Sequence, residues 1–165
     1  MTRKRIILLI GEESNQKLEL LQQLQSKYNV LIPKRTTNNK ELSGYSSLYQ
    51  YNENINLGDL KSYERTKNCV SGLYSNTLAE AWANLYNGNG MAIIANIGLN
   101  ELAYYQSHFK DAPVVGYGNK DDEEIMHLMP LFDMFIDQSS EVTSELLEEL
   151  LGTVLEFSSN PILKK

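Results

Sequence analysis

The stretch Arg5-Ile6-Ile7-Leu8-Leu9-Ile10-Gly11-Glu12-Glu13-Ser14-Asn15-Gln16-Lys17-Leu18 decides the fold of this chain. Residues 6–10 form a continuous apolar run, which predicts a buried strand. A glycine follows this run, and beyond it the apolar residues recur at helical spacing along one side, at Leu18, Leu21, Leu24 and Tyr28. The sequence therefore predicts a strand, a glycine turn and an amphipathic helix in direct succession.

The turn between this strand and helix resembles a phosphate-binding loop that has lost key residues. Strand, turn and helix is the setting in which G-x-x-x-x-G-K-[ST] binds nucleotide phosphates. Gly11 and Lys17 stand at the spacing of that pattern, but Gln16 replaces its second glycine and Leu18 replaces its hydroxyl residue. A Cβ at Gln16 crowds a backbone that must point its N–H groups inward, and Leu18 has no oxygen to ligate magnesium. We expect a degenerate Walker A loop in which Gly11 and Lys17 are the remaining phosphate-binding candidates.

Two carboxylates next to this glycine also oppose phosphate binding. Glu12 and Glu13 place negative charge where phosphates would lie. Two like charges about 4 Å apart cost on the order of 4 kcal/mol at an effective dielectric constant near 20. Two interpretations of Lys17 stay open: a phosphate ligand, or a solvated lysine at the start of a helix.

The composition restricts the class of protein. A chain of 165 residues is long enough for one globular domain with its own core, and we predict a single domain over 1–165. The net charge of −6 argues against a nucleic-acid-binding surface, and no apolar run approaches the roughly 20 residues of a membrane span. Cys69 is the only cysteine, so we expect no disulfide and a cytoplasmic location. His108 and His127 have no partners at metal-ligand spacing, so we expect no metal site.

Strands and helices alternate along most of the chain. Continuous apolar strands between amphipathic helices predict a parallel sheet that is covered on both faces. The fold class is therefore α/β, a three-layer parallel sheet with a small β-rich inserted lobe at about 34–75. With the eroded phosphate-binding loop after its first strand, this sheet resembles those of P-loop kinase type. Further strands are expected at 29–33, 91–97, 112–117 and 134–137, and helices at 99–109 and 125–131. The helix over 78–86 is expected to be capped by Asn76 or Thr77 and to end at Asn87-Gly88, and the last helix to begin near Ser139 or Ser140.

Taken together, the chain resembles the guanylate kinase family at low similarity over most of its length. Four segments carry the resemblance in addition to the eroded loop. They are Pro33-Lys34-Arg35-Thr36-Thr37-Asn38-Asn39-Lys40, similar to S-x-T-T-R-P-x-R; Ser71-Gly72-Leu73-Tyr74-Ser75-Asn76, similar to G-N-x-Y-G-T; Ile94-Ala95-Asn96-Ile97, in the place of a strand that ends in aspartates; and Phe132-Asp133-Met134-Phe135-Ile136-Asp137, similar to F-D-x-x-I-x-N.

The resemblance implies where a nucleoside monophosphate would bind. The candidates that it assigns to monophosphate binding are Arg35, Thr36, Thr37, Tyr74 and Asn96. For two of them the residues alone support another interpretation. Tyr74 is equally compatible with a turn tyrosine that packs on the sheet. Asn96 stands at the carboxyl end of a strand, where open α/β sheets bind ligands, but it could also cap the helix that begins near Leu99.

The chain departs from the family where active members use arginine. In the monophosphate segment, Asn38 replaces one arginine and Glu41 falls where another would lie. The arginine-rich lid of the family corresponds here to residues 116–124, a short and acidic segment. An arginine finger contributes about 10³ to 10⁵ in rate in related enzymes. Efficient phosphoryl transfer is therefore not expected, and we assign no catalytic residue.

Three functions remain open at this point. The first and preferred one is a pseudokinase, a catalytically degenerate guanylate-kinase-like domain that binds a protein partner or a nucleotide and needs no cofactor. The second is a divergent nucleoside monophosphate kinase that transfers phosphate from ATP to GMP or a related nucleotide, which would require Mg²⁺ and ATP. The third is a different P-loop-derived enzyme, for which the sequence offers no residues to name.

Overall fold

A computed structural model of the chain describes residues 5–66 and 68–155, the last three of them by their backbone only. The ends of the predicted 1–165 domain lie outside these residues. The described part contains nine strands and five α-helices. They are β1 Ile6–Ile10, α1 Asn15–Lys27, β2 Val30–Leu31, β3 Arg35–Thr37, β4 Tyr49–Tyr51, β5 Leu60–Thr66, β6 Cys69–Tyr74, α2 Ser75–Tyr86, β7 Ala92–Ile97, α3 Leu102–His108, β8 Val114–Gly118, α4 Glu123–Leu128, β9 Met134–Asp137 and α5 Ser144–Leu155.

The main sheet has five parallel strands in the order β2-β7-β1-β8-β9. Strand β1 lies at its centre, and all five of its residues are buried because helices cover both faces. Ile7 and Leu9 point to one face, in a cluster with residues of α1 and α5. Ile6, Leu8 and Ile10 point to the other face, in a cluster with residues of α2, α3 and α4. The expected α/β fold with a parallel sheet is thus confirmed.

A second, smaller sheet falls within the segment 34–75 that was expected to be β-rich. Its four strands have the order β4-β3-β6-β5. Strand β3 runs parallel to β4 and antiparallel to β6, and β5 and β6 form an antiparallel pair. We call this sheet and its connections the lobe. The lobe lies against the carboxyl ends of the main strands, because Arg35 of β3 reaches the carbonyl of Asn96 in β7.

Several element boundaries differ from the sequence predictions, and side-chain capping explains most of the differences. Helix α5 begins at Ser144 rather than near Ser139 or Ser140, since Asp137 accepts hydrogen bonds from the backbone and hydroxyl of Ser139 and forms a turn there. The Thr143 hydroxyl then accepts the N–H of Leu146 at the helix start. Helix α2 begins at Ser75, directly after β6, so Asn76 and Thr77 are helical residues rather than caps.

Two further boundaries were predicted too broadly. The strand expected at 29–33 is limited to Val30–Leu31. The helix expected at 99–109 is split into a 3₁₀ turn over Leu99–Glu101 and α3. The predicted end of α2 is confirmed, because Gly88 follows the Asn87 cap with φ +78°. No helix in the described ranges is long and apolar enough to cross a lipid bilayer.

Candidate functional site

The loop after β1 is short, and its Ser14 forms the cap of the helix that follows. Helix α1 begins at Asn15, and the Ser14 hydroxyl caps it by accepting the backbone N–H of Lys17 at 3.2 Å. The carbonyl of Ser14 accepts the N–H of Leu18 at 3.0 Å. Only residues 11–14 are left between the strand and the helix. A phosphate-binding loop needs inward-facing backbone N–H groups, and here the N–H of Lys17 already donates to a protein hydroxyl.

Gly11 is required for packing against the neighbouring strand. A Cβ at this position would collide with the carbonyl oxygen of Tyr117 in β8, which belongs to the backbone and cannot move aside. The Gly11 N–H donates to the carbonyl of Ile97 in β7 at 3.1 Å. Gly11 is therefore explained by the close approach of three strands, whether or not it ever meets a phosphate.

Lys17 is buried, with 1% of its surface exposed. Its ammonium donates to the carbonyl of Gly11 at 2.9 Å and to the carbonyl of Ile97 at 3.0 Å. Burial, together with the nearby positive charge of Arg35, lowers the pKa of Lys17 to about 7. The interpretation of Lys17 as a solvated lysine does not hold, and its role as a phosphate ligand stays a prediction that would require it to leave these two carbonyls.

Arg35 is buried in the interface between the lobe and the main sheet. Its Nη2 lies 2.7 Å from Oε1 of Glu101, and both side chains are almost fully enclosed. The guanidinium also donates to the backbone carbonyls of Ser71 at 2.8 Å and Asn96 at 2.9 Å, and to the Ser71 hydroxyl. Arg35 thus has its charge compensated and its donors directed to protein groups.

Glu101 extends this cluster into a network across the interface. Its carboxylate accepts the hydroxyl of Ser62 from β5 and the backbone N–H of Gly98 at the end of β7. The Ser62 hydroxyl and the phenol of Tyr105 in α3 are 2.7 Å apart. The network therefore connects strands of the lobe to the main sheet and to a helix that covers it, with buried groups at every link.

The other predicted monophosphate ligands do not converge with Lys17 on one open surface. Thr36 and Thr37 are buried in β3, and the Thr37 hydroxyl donates to the carbonyl of Val70 at 2.9 Å while facing a cleft. Tyr74 is half-buried and precedes α2. Asn96 is buried, and its amide donates to the Tyr49 phenol at 3.3 Å; the turn after it is capped by Glu101 rather than by Asn96.

A cleft of about 270 Å³ opens between the loop that joins β1 to α1 and the lobe. We call it the acidic cleft, because four carboxylates line it, Glu12, Glu13, Glu41 and Glu64, while its described lining contains no lysine, arginine or histidine. The remaining lining residues are Ser14, Asn15, Leu18, Thr37, Asn39, Leu42, Tyr45, Thr66, Cys69, Val70 and Ser71.

Glu64 and one carboxylate oxygen of Glu13 are enclosed by the protein. Glu64 is 8% exposed, lies over the backbone of Gly98, and has its pKa raised by burial, which outweighs the opposing positive charge of Arg35. Oε2 of Glu13 is sealed from solvent and receives no hydrogen bond within the described residues. The Tyr49 phenol lies close enough that the Glu13 charge adds to burial in raising the pKa of Tyr49. Of the four carboxylates of the cleft, Glu64 and one oxygen of Glu13 are therefore shielded from solvent, whereas Glu12 and Glu41 are exposed.

A second cavity of about 190 Å³ lies on the other side of the loop. Glu12, Tyr117, Asn119 and Asp122 are among its lining residues, together with Gly118 at the end of β8. The segment 116–124, predicted to replace an arginine-rich lid, forms the end of β8, a turn and the start of α4 here. No group of three or more His, Cys, Asp or Glu side chains in the described ranges is arranged to hold a metal ion.

Glu64 and Glu101, two of the most constrained groups in the site, were not predicted from the sequence. A signal for Glu64 was present in β5, where Leu60, Ser62 and Glu64 occupy alternate positions and all three are buried. Polar side chains at the inward positions of an alternating strand point to a buried polar site. Glu101 follows a glycine at the end of a strand, and nothing in its local sequence distinguishes it from a surface residue.

Comparison with known proteins supports the fold. The structure is similar to the crystal structure of guanylate kinase from Anaplasma phagocytophilum, with a TM-score of 0.61 and 11% sequence identity, over 95% of this chain and 89% of that chain. The chain thus has a guanylate-kinase-like fold, and at this identity the likeness concerns the fold alone. No protein-family model and no curated protein matches the sequence.

Proposed function

We propose that this chain is a guanylate-kinase-like domain that no longer transfers phosphoryl groups and acts as a binding module. The observation that carries the proposal is the position of Lys17, whose ammonium donates to the carbonyls of Gly11 and Ile97. A lysine that titrates at about 7 is only partly charged near neutral pH, so its attraction for phosphate is reduced.

Arg35 supports the same conclusion from the lobe side. Its ion pair with Glu101 neutralises the cation that the family resemblance assigns to the monophosphate. To bind a phosphate, the guanidinium would have to leave Glu101 and two backbone carbonyls. Removing one partner from a buried ion pair typically costs about 3–5 kcal/mol, which a single phosphate contact does not offset.

Electrostatic repulsion acts in the same direction in the acidic cleft. Glu12, Glu13, Glu41 and Glu64 all line the space that a monophosphate would enter. Each carboxylate about 4 Å from a phosphate charge adds on the order of 4 kcal/mol of repulsion at an effective dielectric constant near 20. Leu18 is buried and has no oxygen for magnesium, so the usual counterion for the phosphates lacks its protein ligand.

Nucleotide titration tests the proposal. ATP, GTP, GMP and dGMP are each titrated by calorimetry and thermal shift, with and without magnesium, and an active guanylate kinase serves as the positive control. We expect no binding to this chain at concentrations that saturate the control. Magnesium-dependent micromolar binding of a triphosphate would overturn the proposal in favour of the divergent monophosphate kinase. Binding of a monophosphate alone would keep the binding module and make the nucleotide its ligand.

A further inference from the structure

The charges of the acidic cleft are not balanced by its own lining. Four carboxylates line the cleft, and the described residues around it add no basic side chain. The two nearest buried cations, Lys17 and Arg35, lie behind the lining and donate to Gly11, Ile97, Glu101 and other protein groups. A concentration of one sign of charge in a concave site with low-dielectric walls attracts ligands of the opposite sign.

Glu64 and Glu13 separate this cleft from an ordinary solvated acidic surface. Glu64 is more than nine-tenths buried, lines the cleft, and accepts no hydrogen bond from a described residue. Oε2 of Glu13 is enclosed and equally without a hydrogen-bond donor in the described part of the chain. Buried carboxylate oxygens are normally paired, and leaving them without donors is costly. Both side chains line the same cavity.

We propose that the acidic cleft binds an organic cation through its N–H donors, a guanidinium or ammonium group seated between Glu13 and Glu64. The inference rests on the proposed function, since it requires that the cleft is not a phosphate site, and it names the ligand class of that binding module. Glu12 and Glu41, which are exposed at the rim, attract the cation towards the cleft.

The size of the cleft agrees with a single cationic group and its stem. The volume of the cleft is about 270 Å³. Pockets for drug-sized ligands generally measure about 300–1,000 Å³, so the volume of the cleft lies just below that range. Leu18, Leu42 and Val70 provide apolar lining for an alkyl stem, while the carboxylates receive the charged end.

The geometry of the donors favours a guanidinium over a metal ion. A guanidinium carries five N–H donors in a planar fork and can serve two carboxylates at once, whereas an ammonium carries three. A divalent metal needs several oxygens that converge on one point, and the described His, Cys, Asp and Glu side chains form no such group. Separate carboxylates on one wall suit an extended cation better than a point charge.

NMR titration with a matched set of probes tests this inference. The small probes are N-acetyl-arginine amide, N-acetyl-lysine amide and the neutral N-acetyl-citrulline amide, which has nearly the shape of the arginine probe without its charge. A pentapeptide with one central arginine and four glycines represents a polypeptide source of the same cation. Glu13→Gln and Glu64→Gln remove one charge each with little change of shape. Glu80→Gln, on an exposed face of α2, is the control.

We expect both cations to shift the signals of cleft residues such as Thr37 and Ser71 and the citrulline probe to leave them unchanged. Each cleft variant is expected to weaken arginine-probe binding by about tenfold or more, because a charge-assisted hydrogen bond is lost, while Glu80→Gln has no effect. Added salt is expected to weaken binding further. A pentapeptide that binds more tightly than the free amide indicates a polypeptide source, and equal affinity indicates a small molecule.

The inference is overturned if no cation binds at millimolar concentration, if citrulline binds as well as arginine, or if both cleft variants retain full affinity. Thermal melting of each variant verifies that it is folded before its affinity is compared. Failure of the proposed function has a different signature, since it requires nucleotide binding in the separate titration. Absence of both nucleotide and cation binding would reject the inference and leave the proposed function in place.

Discussion

The guanidinium of Arg35 and the carboxylate of Glu101 meet at 2.7 Å in an ion pair that solvent hardly reaches, at 2% and 1% side-chain exposure. The pair joins strand β3 of the lobe to the turn that follows β7 of the main sheet. An arginine that sequence resemblance assigns to ligand binding thus holds the two sheets together. Its charge is compensated by Glu101 within the protein, and it still opposes the burial that raises the pKa of Glu64 in the neighbouring cleft.

Glu101→Gln tests how much stability this ion pair provides. The substitution keeps the shape of the side chain but leaves the Arg35 charge buried without compensation. We expect it to lower the free energy of unfolding by about 3–5 kcal/mol, measured by urea denaturation. Glu124→Gln changes an exposed glutamate on α4 and is expected to alter stability by less than about 0.5 kcal/mol. Similar small losses in both variants would contradict a structural role for the pair.

The pH dependence of stability is set in part by Lys17. Burial, then the charge of Arg35, lowers its pKa from 10.5 to about 7 in the folded protein. Between these two values the unfolded chain binds the Lys17 proton and the folded chain does not, so stability rises with pH in that window. The rise is up to about 1.4 kcal/mol per pH unit, and the gain is lost as the pH falls towards 7.

Urea denaturation at several pH values between about 7 and 9.5 measures this dependence. Lys17→Met removes the titrating group, and we expect the upward slope of stability against pH to flatten in this variant. Lys110→Met replaces an exposed lysine and is expected to keep the slope of the parent protein. Identical slopes in all three proteins would show that Lys17 keeps its ordinary pKa after folding.

Gly11→Ala distinguishes packing from phosphate binding as the reason for this glycine. The added methyl group would collide with the backbone carbonyl of Tyr117, so we expect a loss of about 1–3 kcal/mol. Gly44→Ala is the matched control, since a Cβ there meets no atom within 4 Å. Both variants are measured by thermal and urea unfolding in the absence of nucleotide. If Gly11→Ala is as stable as the parent protein, then β1 and β8 can move apart at this position to admit the methyl group.

Restoring the motif residues is not expected to restore nucleotide binding. In Gln16→Gly with Leu18→Ser the loop regains the pattern, but Lys17 keeps its carbonyl partners and the carboxylates of the cleft remain. Leu18 is 1% exposed, so its replacement is expected to cost about 2–5 kcal/mol of stability. Calorimetry with ATP and magnesium, at a temperature where the variant is folded, measures the outcome. Gln16→Gly alone keeps Leu18 and is the control for the loss of the leucine side chain. Micromolar ATP binding by the double variant would refute this expectation.

The main sheet could be predicted from the sequence because its strands are continuous apolar runs. Residues 6–10 and 92–97 are buried on both faces, and such runs leave little choice of structure. The predicted start of α5 was wrong because Ser139 and Ser140 resemble helix caps, whereas Asp137 accepts hydrogen bonds from Ser139 in a local turn. A helix cap and a turn closed by side-chain to backbone hydrogen bonds use the same residue types, so their sequence signals are similar.

The candidate site was less accessible to sequence reasoning because it is made of long-range contacts. Lys17 and Ile97 are 80 residues apart, and Arg35 and Glu101 are 66 residues apart. Motif spacing places Lys17 correctly at the first turn of α1, but it does not reveal that the ammonium points inward. Whether a basic residue faces a ligand or a buried carboxylate depends on the tertiary pairing, which one sequence does not contain.

The network around Arg35, Glu101, Ser62 and Tyr105 has a kinetic consequence. Because it joins the lobe to the main sheet through buried contacts, we expect the width of the acidic cleft to stay the same when a ligand arrives. A ligand then meets a preformed site, and no domain closure has to precede or follow its arrival. In stopped-flow mixing, association is expected to be a single second-order phase whose rate rises linearly with ligand concentration, without the plateau that a conformational step would impose.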